Sequence, residues 1–204
     1  MWVIQAKSQR CMLLSLGVLA LSVLASVSAH AIDVHPTAEQ IQAAIDQGKA
    51  AARQHRPLDS LYVWFGVSDA VHPKGYLVTK LGGLSVLAMH MALRGLEPNP
   101  ADVAQILDSK TMVVSAVIFG DTRDFAVGGY IVLEQLGKTV KPVTVRFDAQ
   151  ADRSAMWPES PKYKAKVVAS FNYADFDPMA ETTITVYPAA GGEASFSMKF
   201  IEVR

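Results

Sequence analysis

Between Lys164 and Tyr173 apolar and polar residues alternate almost without a break. Ala165, Val167, Ala169, Phe171 and Tyr173 take one parity, and Lys164, Lys166, Ser170 and Asn172 the other. That is the period of a strand with one face on a core and one in water. Only Val168 departs from it. Thr182 to Tyr187 and Ser195 to Val203 continue in β-like runs, and Gly191 and Gly192 place a tight turn between them. Upstream, Met112 to Phe119 is apolar at both parities, which predicts a central strand. Val127 to Leu136 and Val140 to Phe147 flank Gly137, Lys138 and Thr139, a short connection that reads as a hairpin. Pro142 puts the second arm at an edge, or delays its start. Leu61 to Val67 has aromatic and β-branched residues without clean alternation, which predicts a seventh short strand, buried on both faces.

The N-terminal half carries the helical periods. Thr37 and Gln40 form a capping-box pattern, and Ile41, Ala44, Ile45 and Gly48 mark one face of the helix they open. Pro57 sets its end near Gln54. Thr79 to Leu93 predicts a second helix, apolar nearly all round, and such a helix is either buried or an interface. Asn99 and Pro100 start a short third helix carrying Val103, Ile106 and Leu107. The loop from Ser68 to Tyr76 joins the first strand to the second helix. Together these elements predict a mainly β fold with added helices, an antiparallel β-sandwich of about seven strands with the helices covering an edge or one end. Two other architectures fit the pattern: an α+β fold with a single antiparallel sheet and helices on one face, and a split domain with a helical N-terminal half.

The first 31 residues add an address. Lys7 and Arg10 precede an apolar run from about Cys11 to Val27, and Ala29-His30-Ala31 has the small residues of a cleavage site, which reads as a secretory signal peptide cleaved after Ala31. An uncleaved anchor is the competing reading, because the run approaches the length of a spanning helix. Cleavage leaves residues 32–204 as a single domain, helix-rich to about residue 108 and β-rich from 109, with no membrane span, in the periplasm or secreted. It also removes the only cysteine and two of the 19 basic side chains, against 19 acidic ones. The resulting slight negative charge offers no footprint for nucleic acid. Stability must come from a core without disulfides, which a chain of this size can bury.

Candidate chemistry is sparse. His35, His55, His72 and His90 lack zincin spacing, so no metal is indicated. Gly83-Leu84-Ser85 lacks the glycine that a nucleophile elbow needs after its serine, and no dinucleotide or phosphate loop is present, so no cofactor is expected. His72 is the one histidine in a loop with an acid and a base nearby, Asp69 and Lys74. Asp121 with Asp124, and Asp175 with Asp177, each read as backbone turns rather than as calcium ligands.

Direction of travel supplies one further inference. If the strands alternate from Thr111 onward, the loops at Gly120 to Ala126, Ala149 to Lys162 and Pro188 to Ala194 share one end, and those at Gly137 to Thr139 and Ala174 to Glu181 share the other. Asp175 and Asp177 then cannot share a site with Asp121 or Asp124. The first end gathers Asp121, Arg123, Asp124, Asp152, Arg153, Met156, Trp157, Glu159 and Tyr163. The candidate binding residues are Trp157, Asp121, Arg123, Asp124 and Arg153, with Asp69 and His72 as weaker ones. Trp157 either anchors a partner or folds back to cap the core, and the common burial of Trp favours the cap. These features point to a non-catalytic exported module that binds a protein, peptide or glycan. The alternatives are an extracytoplasmic hydrolase whose triad is visible only in geometry, and a subunit that oligomerises through the apolar helix Thr79 to Leu93.

Overall fold

Thr37 opens the first helix as its capping box predicts. Its backbone N–H donates to Gln40 Oε1 at 2.7 Å, and its hydroxyl accepts from the Gln40 N–H at 3.2 Å. The computed structural model describes residues 32–189 and 191–203; the predicted signal peptide, its cleavage point and Cys11 lie outside the described residues.

Helix α1 (Ala38–Arg53) buries Ala44, Gly48, Ala51 and Ala52, and ends at Gln54 as expected. It packs on α2 (Lys80–Ala92). A Cβ at Gly48 would stand 2.1 Å from the Ser85 carbonyl oxygen, so glycine is what allows the two backbones to approach. The Ser85 hydroxyl donates to the Ala44 carbonyl at 2.9 Å across the same contact. On its other side Gly83 faces Ile106 of α3 (Pro100–Asp108). The Lys80 ammonium ties the start of α2 to the end of α3 by donating to the Leu107 carbonyl at 2.6 Å. The apolar helix finds cover within the chain on one side, where Leu84, Ala88 and Met89 are buried, while Val86, Leu87 and Met91 are half-buried and Leu93 is exposed.

The strands make two antiparallel sheets. In the first, β1 (Val63–Gly66), β2 (Lys74–Val78), β3 (Thr111–Gly120), β8 (Tyr163–Asn172) and β6 (Thr144–Phe147) are neighbours in that order, and β7 (Asp152–Arg153) pairs with β8 beyond the end of β6. The second runs β10 (Ala194–Lys199), β9 (Glu181–Tyr187), β4 (Tyr130–Gln135), β5 (Lys138–Val140). Ala165, Val167, Ala169 and Phe171 of β8 and Met112, Val114, Ala116 and Ile118 of β3 face Ile131, Leu133, Ile184 and Val186 from the other sheet in one core. Among the described residues the fold is mainly β with three helices, two facing antiparallel sheets and no barrel. Val168, the break in the alternation of β8, points outward with Lys164 and Lys166 and is half-buried there.

Three predicted elements are corrected. Leu61 to Val67 is not a strand buried on both faces; β1 is an edge strand with Trp64 43% exposed. Alternation fails there because the outer aromatics pack on one another: Tyr62 stacks on Tyr76 with centroids 4.3 Å apart, and Trp64 meets Tyr76 edge-on at 5.2 Å. The segment read as a loop to Tyr76 contains the start of β2, which runs on to Val78. Pro73-Lys74-Gly75 resembles a turn, but Gly75 lies under Phe65, where a Cβ would come within 2.3 Å of the ring. Lastly, Val140 to Phe147 is two strands. Val140 ends in the second sheet, Pro142 breaks the ladder, and Thr144 begins β6 in the first.

Candidate binding site at the loop end

Gly120 and Tyr163 face each other in register at the end of the β3–β8 pair, so the loops that leave them start side by side. Asp121 joins the two loops. Its carboxylate accepts from the Ser160 hydroxyl at 3.0 Å and from the Lys162 N–H at 3.1 Å. The Ala151 N–H donates to the Arg123 carbonyl at 2.8 Å, and Phe125 is buried beneath, against Gly120. The long loop is also braced from inside. Ser154 donates its hydroxyl to the Pro161 carbonyl and accepts from the Met156 N–H at 3.0 Å, while the Ser154 N–H reaches the Lys162 carbonyl at 2.9 Å. Pro158 and Pro161 both follow cis peptide bonds.

On this braced loop the Arg153 guanidinium lies 4.1 Å from the centroid of the Trp157 indole. Arg123 stands 6.0 Å from the Tyr163 ring. The Arg123 guanidinium beside Tyr163 holds its hydroxyl below the usual phenol range against the opposing effect of burial, and the Trp157 indole N–H and the charge of Arg153 act in the same direction. Two cations and two aromatic rings thus form one patch. Trp157 does not fold back to cap the core: it is 43% exposed, with Met156 beside it in sequence also exposed.

Of the residues expected at this site, Trp157, Arg153 and Arg123 come together, and Asp121, itself exposed, spends its carboxylate on joining the two loops. Asp124 accepts through its carbonyl from the Val127 N–H at 2.9 Å, and among the described residues its carboxylate makes no hydrogen bond or ion pair. Tyr163, which strand direction placed at this end but which was not among the candidate binding residues, belongs to the patch. Its position opposite Gly120 and Arg153 is a matter of register, which the local pattern does not reveal.

Asp69 and His72 sit elsewhere, in the β1–β2 loop. Asp69 Oδ1 accepts from the Val71 N–H at 2.9 Å and the His72 N–H at 2.8 Å, while Oδ2 contacts His72 Nδ1. These backbone bonds, with the imidazole contact, hold the Asp69 carboxyl down to about 2. The Lys74 ammonium closes the loop by donating to the Asp69 carbonyl at 2.6 Å. Among the described residues no hydroxyl hydrogen-bonds to the His72 side chain, and no cluster of three His, Cys, Asp or Glu side chains is placed to hold a metal ion.

The opposite end is anchored by Gln135, a buried polar residue that the sequence pattern did not single out. Its Nε2 donates to the Asp177 carbonyl at 2.9 Å and to Thr182 Oγ1 at 2.7 Å, and its Oε1 accepts from the Asp177 N–H at 2.8 Å. Asp177 is therefore at the far end from Asp121, as the strand directions required.

The class defined by these features is a two-sheet antiparallel fold with N-terminal helices and an aromatic–arginine patch on its loop end. No family model and no curated protein matches the chain. Among solved structures it is similar in part to the archaellum periplasmic stator protein complex FlaF and FlaG from Sulfolobus acidocaldarius, at 14% identity over 44% of this chain and 78% of that one, with a TM-score of 0.27. No helix among the described residues is long and apolar enough to cross a membrane.

Proposed function

We propose that this chain is a non-catalytic, exported binding module that engages a protein, peptide or glycan partner through the Trp157 end of its sandwich, in the periplasm or outside the cell. One observation carries the reading. Trp157 is held by Arg153 in a half-exposed position on a loop braced from within and clamped by Asp121. Trp, Tyr and Arg are the residues on which interface energy concentrates, and a preordered loop loses little freedom on binding. The test is a Trp157→Ala variant probed by crosslinking in an envelope extract. The reading is supported if it keeps the wild-type unfolding midpoint and loses the partner that the wild-type chain captures. It fails if the variant unfolds or still captures that partner.

The Asp69–His72 contact favours a second reading, a hydrolase built on the β1–β2 loop, since an acid-oriented imidazole is one part of a triad. Labelling by an active-site-directed serine probe, lost in His72→Ala, is its test.

A further inference from the structure

Most strands that border the two sheets are short: β1 and β6 have four residues each, β5 has three and β7 two. β10 has six, paired one to one with β9, without a proline or a bulge. In step with that register the Phe200 N–H donates to the Ala180 carbonyl at 3.2 Å. Bonded pairs alternate along an antiparallel ladder, so Phe200, Met198, Phe196 and Ala194 turn their backbone groups to β9, and Ser195, Ser197 and Lys199 turn theirs outward. Among the described residues no hydrogen bond reaches these outward N–H and C=O groups. An edge of this kind is a template for another strand.

The side chains say which strand. From Glu193 to Lys199 the chain reads Glu-Ala-Ser-Phe-Ser-Met-Lys. Turned antiparallel on itself about Phe196, it sets Glu193 opposite Lys199, Ala194 opposite Met198, Ser195 opposite Ser197 and Phe196 opposite Phe196. Charges and hydroxyls then meet on the exposed face, while Ala194, Phe196 and Met198 are half-buried on the core side. Phe196 lies against Phe65 of β1 with ring centroids 5.0 Å apart, and a groove of about 530 Å³ lined by Val63, Phe65, Met198 and Val203 opens beside it. Shifting the second strand by two residues either way puts Lys199 opposite Ser195 or Gly191 and unpairs both charges, so the sequence selects one register. Among the described residues Glu193 has no ion-pair partner in its own chain. Lys199 meets only Glu202, at 3.4 Å between two exposed side chains, and such a pair contributes little.

We infer that two copies of this chain pair β10 to β10 about Phe196, joining their second sheets into one continuous sheet across a two-fold axis. The outward backbone groups of Ser195 and Ser197 bond to those of Ser197 and Ser195 in the second copy. Phe196 and Met198 of both copies cover the groove beside β1, and the two Glu193–Lys199 pairs fix the register. β10 belongs to the other sheet from the strands that carry the Trp157 loop, and the inference does not depend on the reading of that patch.

Sedimentation equilibrium tests it. The wild-type chain should exchange between monomer and dimer with concentration. Lys199→Glu or Glu193→Lys each puts like charges opposite at two symmetric places, which should weaken the dimer about ten-fold. The swap Glu193→Lys/Lys199→Glu restores opposite charges and should associate as wild type. Ser197→Pro removes an outward N–H that β9 does not use, and should be monomeric with an unchanged circular dichroism spectrum. Should the proline variant not fold, the charge series decides alone. The inference is overturned if the wild-type chain stays monomeric up to millimolar concentration, which would leave the edge to a strand of another protein. It is also overturned if a folded Ser197→Pro chain dimerises as wild type, if single reversals leave the dimer intact, or if the swap associates no better than they do.

Discussion

The guanidinium of Arg153 covers one face of the Trp157 indole at 4.1 Å, on a loop where both residues are exposed to solvent. A cation over an indole at such a site contributes about 0.5–1 kcal/mol. Arg153→Ala should therefore lower unfolding stability by no more than about 1 kcal/mol, while freeing the indole. In a Trp2→Phe/Trp64→Phe background, Trp157 emission should shift to the red and its anisotropy should drop. An unchanged anisotropy would show that the loop holds the ring without Arg153.

Leu136 is 91% exposed and has a φ of 49°, followed by Gly137 at 77°, so the β4–β5 turn has two left-handed residues of which only the second is glycine. Such turns favour Asn-Gly, and an ordinary side chain in that region costs roughly 1–2 kcal/mol. Leu136→Asn should raise stability by roughly 1 kcal/mol. Urea unfolding checks it, and a lower midpoint would count against this turn geometry.

Gly48 is the point of closest approach between α1 and α2. Gly48→Ala puts a Cβ against the Ser85 carbonyl and within 2.9 Å of the Ala88 methyl. Both lie on packed helix surfaces, so the overpacking should cost about 1–3 kcal/mol despite the better helix propensity of alanine. A thermal melt no lower than wild type would show that the helices part more easily than their packing implies.

Gln135 makes three hydrogen bonds at the far end, all with the Asp177–Thr182 segment. Gln135→Leu leaves the Asp177 N–H and carbonyl without those partners, a loss of about 1–3 kcal/mol. Faster exchange of the Asp177 amide should accompany it. Wild-type exchange in the variant would mean that water replaces the side chain without loss.

Asp69 has a carboxyl lowered from 3.8 to about 2 in the folded chain. A depressed carboxyl stabilises the native loop above its ordinary value, and that contribution is lost as pH falls from about 4 through about 2. Amide exchange at Val71 and His72 should rise in that window. Asp69→Asn, which does not titrate, should show no such transition. A flat wild-type profile would contradict the hydrogen-bond pattern.

Much of the fold was legible in sequence because burial on one face imposes a period. The alternation of β8, the capping box at Thr37 and the apolar run of Met112 to Phe119 each report their own environment. Legibility failed where a local cue and a packing constraint disagreed. Pro73-Lys74-Gly75 carries turn residues, yet Gly75 is there because Phe65 needs its space. Val140 to Phe147 has the period of one strand, yet Pro142 hands the chain from one sheet to the other.

The candidate site divides along the same line. Strand direction alone placed Trp157, Arg153, Arg123 and Asp121 at one end and Asp177 at the other, because successive antiparallel strands must reverse. Which of them meet was decided by tertiary structure. Register set Tyr163 opposite Gly120 and Arg153, let Asp121 clamp the two loops that leave there, and put Lys74 of β2 and Lys166 of β8 on either side of Val117. Periodicity records whether a residue faces a core. Contacts between residues distant in the chain arise only when strands pair, and nothing in a local pattern encodes that pairing.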